Sequence, residues 1–311
     1  MRTAIEAVIA RVSAWEGHEM VVRPLAGNPR EELFSVTVNG REHVVRIRVD
    51  HEMLGFSAAK EAEATRRAAD VGIGPWVVAE VRSARALITG VVPAHPLDGD
   101  GIAGRLDDVV AALHAFHDSG PMQADFPVHR VVEWHARDAG THDVIAPAAY
   151  ERLHQLSRRI ETTFAKTPMA AVPCHNNLVP ANLLFEPDRL WLTDFECGGM
   201  NDAFFDLANL SVHAGFDNDT DERMLDLYFG EASEGATARL RLMKVMSEFR
   251  EGMWGVAQRA VGLPDTNALS PEERLRRCER LASRPELEQW LSAAGWFRRP
   301  LSPHVLDLGA G

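Results

Sequence analysis

Four residues in one stretch of this chain are of types and spacings that could do chemistry: His175, Asn177, Asn182 and Asp194. The first three lie in the polar run Cys174-His175-Asn176-Asn177-Leu178-Val179-Pro180-Ala181-Asn182. Apolar Leu183-Leu184-Phe185 and Leu190-Trp191-Leu192 flank a turn at Glu186-Pro187-Asp188, which predicts a β-hairpin ending at Asp194. Such a hairpin brings Asn182 and Asp194 close together. An amide oxygen and a carboxylate are hard ligands suited to Mg²⁺, an ion that keeps several waters and binds nucleotide phosphates. Cys174, His175 and Cys197 are softer ligands, but they lack the ligand-pair spacing and the fourth ligand of a zinc site.

The elements that must position these groups fall into two kinds. Ile5, Val8, Ile9, Val12 and Trp15 recur at helical spacing, interrupted by Glu6 and Arg11, so they form a helix and not the apolar core of a signal peptide. Strands are expected at 21–25, 33–38 and 43–49, with turn chemistry at Ala26-Gly27-Asn28-Pro29 and the hairpin signal Asn39-Gly40. A helix over 57–70 starts at a candidate cap, Ser57, and stops at Gly72-Ile73-Gly74-Pro75; strands at 76–81 and 86–91 follow. From Gly101 to Gly120 the pattern is helical, and helices dominate the rest apart from a β-rich patch near 183–195. The chain therefore divides into a small sheet-plus-helix lobe, 1–90, and a larger helical lobe, 91–311, with the border between Thr89 and Ala94.

Composition narrows the class. The 311 residues carry 33 Lys+Arg against 45 Asp+Glu, a net charge of −12, which argues against a nucleic-acid partner because phosphate backbones need a basic stripe. No run of 18 apolar residues is present to span a bilayer. Three cysteines, Cys174, Cys197 and Cys278, are too few for a disulfide framework and suit a reducing cytoplasm.

The segments His175-Asn176-Asn177-Leu178 to Asn182, Asp194-Phe195-Glu196, and Gly199-Met200-Asn201-Asp202-Ala203-Phe204-Phe205-Asp206-Leu207-Ala208 resemble those of the choline/ethanolamine kinase branch of the aminoglycoside-phosphotransferase superfamily. Arg46 in its strand, the helix around Glu61, Leu113-His114-Ala115-Phe116-His117 and Phe249-Arg250-Glu251-Gly252-Met253-Trp254 match further family segments in the same order, over about residues 20 to 260. The resemblance implies an α+β, bilobal protein-kinase-like fold. It implies an ATP- and Mg²⁺-dependent kinase that phosphorylates the hydroxyl of a small, cationic molecule. Asn182 and Asp194 would be the metal ligands, and Gly27 and Asn28 would lie in a loop covering the phosphates. Arg46 would take the phosphate-binding duty usually given to lysine, with Arg48 as the rival on the same strand face, and Glu61 would hold it, Glu63 being the alternative if the helix register slips. His175 would be a buried scaffold. Asp206 would brace the 175–182 loop through backbone hydrogen bonds, a role compatible with capping a helix.

Position 177 departs from the pattern. The family has aspartate there, which orients the acceptor hydroxyl and takes its proton; Asn177 cannot. Three accounts follow: a pseudokinase acting as a nucleotide- or metabolite-binding module, an enzyme trapped by an Asp→Asn replacement, or a working enzyme that needs little base catalysis or uses another base such as Glu196. For the acceptor, Glu196, Glu251 and Trp254 are the expected cation cage, and the alternative for Trp254 is core packing among Met243, Met246, Phe249 and Met253. Cys197 stands where the family usually has tyrosine, which leaves ethanolamine-like amines, aminoglycosides and other hydroxylated metabolites open beside choline.

Overall fold

The computed structural model describes residues 4–27, 31–48, 57–264 and 269–298. Asn28 and the chain after 298 lie outside them.

A short helix α1 (Ala4–Ile9) precedes a five-stranded antiparallel sheet built from β1 (Met20–Leu25), β2 (Glu31–Val38), β3 (Arg41–Arg48), β4 (Val77–Val81) and β5 (Ala86–Gly90), in the order β1-β2-β3-β5-β4. Asn39 and Gly40 both take positive φ, 50° and 75°, the conformation a two-residue hairpin demands, and Val38 pairs with Arg41 across it. Helix α2 (Ala58–Asp70) links β3 to β4. Ser57 occupies its N-cap position with extended backbone, yet its side chain caps nothing. At the other end, Ile73 and Gly74 donate back to Ala68 O, and a Cβ on Gly74 would lie 2.6 Å from that of Ala68, so only glycine fits.

The larger lobe follows a two-residue strand β6 (His95–Pro96). Where one helix was expected there are two, α3 (Gly99–Gly104) and α4 (Leu106–His117), because Arg105 leaves the helical conformation between them. Next come α5 (Val128–Thr141), α6 (Tyr150–Phe164), β7 (Val172–Cys174), β8 (Leu183–Glu186), β9 (Arg189–Leu192) and β10 (Gly199–Asn201). They are followed by α7 (Ala203–Ala214), α8 (Asn218–Phe229), α9 (Glu234–Ala260), α10 (Pro271–Ala282) and α11 (Leu287–Ala294). β8 and β9 form the expected hairpin, though Asp194 stands two residues past its second strand, in left-handed backbone with φ 61°. The architecture is the bilobal kinase-like one: a small antiparallel sheet lobe and a larger, mainly helical lobe.

Each lobe has its own apolar core. That of the sheet comprises residues such as Val8, Val36, Val45 and Ile88, and that of the helices is centred on α4, α7 and α9. The division is not clean, because Ala64, Ala68 and Ile73, in or beside α2, belong to the larger core. Inside that core Arg239 is fully buried. It donates Nη2 to Thr167 O at 2.6 Å and to Thr167 Oγ1 at 2.8 Å and Nε to Ala294 O at 3.2 Å, and it stacks on Phe164. It thereby ties α9 to the end of α6 and to α11. Arg239→Met strands those acceptors, and urea unfolding should show a loss of about 3 kcal/mol. A loss under about 1 kcal/mol would mean that packing alone joins these helices.

Candidate active site

Between the lobes lies a cavity of about 230 Å³. Val44, Arg46, Leu87 and Thr89 of the sheet form one side, Pro75 and Gly90 to Val92 the connecting edge, and Leu184, Thr193 and Asp194 the other side.

The 175–182 loop beneath it is pinned from behind. Fully buried Asp206 accepts the backbone N–H groups of His175 (Oδ2, 2.7 Å) and Asn176 (Oδ1, 2.7 Å). His117 Nε2 reaches Oδ2 at 3.1 Å, and His117 Nδ1 is 2.6 Å from the Tyr228 hydroxyl. The α7 cap is Asp202, which accepts from Phe204 N, so Asp206 is not a cap. Asn209 Oδ1 accepts Leu178 N at 2.6 Å. Asn176 turns the chain with φ 61° and gives its amide hydrogens to Cys174 O, Cys197 O and Gly199 O while accepting from Asn201. Burial holds His175 below its ordinary pKa, so it is neutral. Its Nε2 donates to Thr193 O at 2.8 Å and its Nδ1 faces Asn177 N, the bonding of a scaffold.

This bracing leaves Asn177 partly buried with a carboxamide that makes no hydrogen bond among the described residues. Asn182 donates Nδ2 to Asn177 O at 2.9 Å, and its backbone carbonyl accepts Thr193 N at 3.0 Å, which ties the loop to the segment carrying Asp194.

Above the loop, two arginines meet four carboxylates. Arg46 Nη1 lies 2.7 Å from Glu61 Oε1 and also contacts Asp194, while Arg46 Nε is 3.2 Å from Glu31. Arg48 reaches the other oxygen of Glu61 at 2.9 Å, Glu196 at 2.9 Å, Glu31 at 3.2 Å and Asp194 at 3.4 Å. Burial alone would depress both guanidiniums, but the carboxylates outweigh it and raise them above their ordinary value. Both arginines grip Glu61; Arg46 lines the cavity. Glu63 faces elsewhere and accepts Gln123 N at 3.0 Å. Gly27 is exposed beyond β1, and a Cβ there would make only ordinary contacts, at 3.4 Å, with Glu31 and Leu33.

The expected cation cage is altered by partners that sequence reading missed. Glu251 is buried against Arg250, whose Nη2 also lies 2.9 Å from Cys197 Sγ. His213 Nε2 is 3.6 Å from Glu251. Burial would raise the Glu251 carboxyl, yet Arg250 outweighs it and holds it far below the usual range. Glu196 is likewise committed to Arg48. Trp254 packs with Ala257, Val261 and Leu263 and tilts against His135, ring centres 5.3 Å apart, so it does not join the methionine core. Neither carboxylate stands unpaired to meet a cation.

Burial first, and Arg250 second, lower His135 to about 3. The unfolded chain then binds a proton near pH 6.5 that the folded chain refuses, so this stabilisation is full above pH 6.5 and is lost as pH falls toward 3. His135→Gln should flatten the dependence of unfolding free energy on pH between 6 and 4 by about 1.4 kcal/mol per pH unit. Parallel curves for the two proteins would refute the assignment.

Among the described residues, His117, Cys174 and Asp206 have ligand atoms within 4.8 Å of one another. The carboxylate and imidazole are already spent on the loop and Tyr228, and burial raises the Cys174 thiol, so this is a hydrogen-bonded brace. No described helix is long and apolar enough to cross a membrane.

A model of the phosphotransferase enzyme family (APH) matches residues 33–243, which contain Arg46, Glu61, the 175–182 loop, Asp194 and Asp206. The chain belongs to this family. The chain has the fold of a choline/ethanolamine kinase family protein from Mesorhizobium loti, with 24% identity and a TM-score of 0.77 over 94% of this chain and 99% of that one. It is similarly close to the choline kinase LicA of Streptococcus pneumoniae, at 21% identity and TM-score 0.76 over 91% and 100% of the two chains. Protein LicA of Haemophilus influenzae is 37% identical over 62 residues, which are 20% of this chain and only 23% of LicA.

Proposed function

We propose that this protein transfers the γ-phosphoryl group of ATP to the hydroxyl of a small organic acceptor, with Mg²⁺ and without a carboxylate base. One observation carries the reading: Arg46 joins Glu61 and Asp194 on the wall of the cleft, above a loop that Asp206 pins. Arg46, always charged and able to bind two oxygens at once, would hold the nucleotide phosphates. The donor set fits Mg²⁺. Asp194 is partly exposed and its contacts with Arg46 and Arg48 fall on Oδ1, no donor among the described residues engages Asn182 Oδ1, and Glu31, Glu61, Asp194 and Glu196 exceed Arg46 and Arg48 by two negative charges. Bound Mg²⁺ and ATP supply the phosphoryl group and neutralise its charge; the chain supplies position.

Asn177 would accept a hydrogen bond from the acceptor hydroxyl and aim it without taking its proton. Glu196 does not replace the missing base, since it is buried and paired with Arg48. The names of the similar structures make choline and ethanolamine the first acceptors to try. A second reading, a nucleotide-binding pseudokinase, is favoured by the carboxamide at 177.

The test is to incubate the protein with ATP, Mg²⁺ and a panel of amino-alcohols and polyols and to follow ADP and phosphomonoester. Slow transfer that EDTA abolishes is expected. ATP binding without product, in this chain and in Asn177→Asp alike, would favour the pseudokinase, and failure to bind ATP would end both readings.

A further inference from the structure

The outer side of α2, away from Glu61, borders a second and larger cavity of about 580 Å³, a size that holds a small ligand. Lys60, Arg66, Arg67 and Arg82 line it, with Glu63 and Asp70 as the acidic members. Four cations around one hollow are unexpected on a chain of net charge −12. Several of these cations have little to neutralise them. Lys60 has no hydrogen bond or ion pair among the described residues. Arg66 and Arg82 share the single carboxylate of Glu80, at 2.6 and 2.9 Å. Arg67 spends its Nη atoms on two neutral carbonyls, Ser119 O and Pro121 O, meets Glu63 only at 3.8 Å, and leaves its Nε buried without a partner. Asp70, the last residue of α2, stands one turn from Arg66 and Arg67 but pairs with neither among the described residues, and it is about 15 Å along the axis from Lys60.

The walls come from both lobes: α2 and Arg82 on one side, Ser119, Gln123 and Ala124 on the other. The same helix presses its inner face on the Asp194 segment, since a Cβ on Gly198 would lie 2.5 Å from that of Ala64.

We propose that this hollow is a second binding site, separate from the nucleotide cleft, for a small polyanion bearing phosphate groups, and that its occupant clamps α2 between the lobes and tightens nucleotide binding. Guanidinium and ammonium groups with unmet donors are the chemistry that phosphate oxygens satisfy. Because Glu61 holds Arg46, fixing α2 fixes the arginine as well; the clamp rests on the reading of Arg46 as a phosphate ligand, and by linkage the nucleotide would tighten the occupant by the same factor.

The test uses inorganic tripolyphosphate as probe, measured by calorimetry on the full chain with the cleft filled by a non-hydrolysable ATP analogue and Mg²⁺. The comparison is with the double variant Lys60→Ala, Arg82→Ala, whose side chains are exposed and outside the cleft. Wild type should bind the probe at least tenfold more tightly than the variant, with both melting alike in its absence. Saturating probe should also lower the Kd of the ATP analogue at least threefold in wild type only. Equal affinity in the two proteins, or no binding at millimolar probe and low salt, overturns the site. An unchanged Kd of the analogue overturns the clamp. If the chain ignores the ATP analogue altogether, the reading as a phosphotransferase toward small acceptors fails while the probe comparison still decides the hollow.

Discussion

Asn177→Asp should raise the rate of ATP-dependent phosphorylation by about 10² to 10⁴, the usual worth of a positioned general base. The exchange is isosteric, and the carboxamide it replaces makes no hydrogen bond among the described residues, so nothing in the loop has to give way. The new carboxylate is held by the surroundings that hold Asn177 now: Asn182 Nδ2 on its backbone carbonyl, and Asp206 on the two preceding N–H groups. Its charge adds to that of Asp194, while Arg46 offsets part of the repulsion, so affinity for ATP should change little and the gain should fall on kcat. Steady-state kinetics of the two proteins with the same acceptor check this. An unchanged kcat would mean that chemistry is not limited at position 177.

Asp206→Asn should be the most damaging conservative change in the molecule. The carboxylate has no exposure and takes three donors: His175 N, Asn176 N and His117 Nε2. A carboxamide keeps the shape but offers one oxygen where two are used, and it sets an N–H₂ group against a donor. Breaking a buried charged contact on one side costs about 3 to 5 kcal/mol, and urea unfolding measures it. Amide hydrogen exchange adds a local signature, because His175 and Asn176 should lose protection well before the α9 core does. A variant of normal stability, with those amides still protected, would show that the loop is held by its own turn and not by α7.

Features set by local chemistry were legible in the sequence. Asn39-Gly40 has one common use between two β-branched runs, and Gly72-Ile73-Gly74-Pro75 can only end a helix, so the sheet and α2 stood where periodicity put them. The fold class and the family followed from ordered segments whose spacing survives any detail of packing. The break at Arg105 was invisible because Ile102, Leu106 and Val109 keep helical spacing across it. What eluded the sequence at the site was which side chains pair, both between neighbours and over long separation. Glu251 and Trp254 do share a helix, but spacing could not reveal that Arg250, the preceding residue, would take the carboxylate, or that His213 and His135 would arrive from other helices. Nor could it reveal Asn176 and Asn209 as buried clamps, although an asparagine within the loop, a residue type that tolerates the left-handed backbone found there, was a usable hint. The rivalry between Arg46 and Arg48 was real, since both hold Glu61, and only the shape of the cavity separates them.

The burial of Ala64, Ala68 and Ile73 among the helices of the larger lobe makes the small lobe a poor candidate for an independent module. Excised at residue 90, it would carry an apolar stripe into water and lose the surface that orients Glu61. The larger piece would keep a matching gap beside Phe195. Swapping small lobes between homologues therefore means transplanting α2 together with the ground on which it rests.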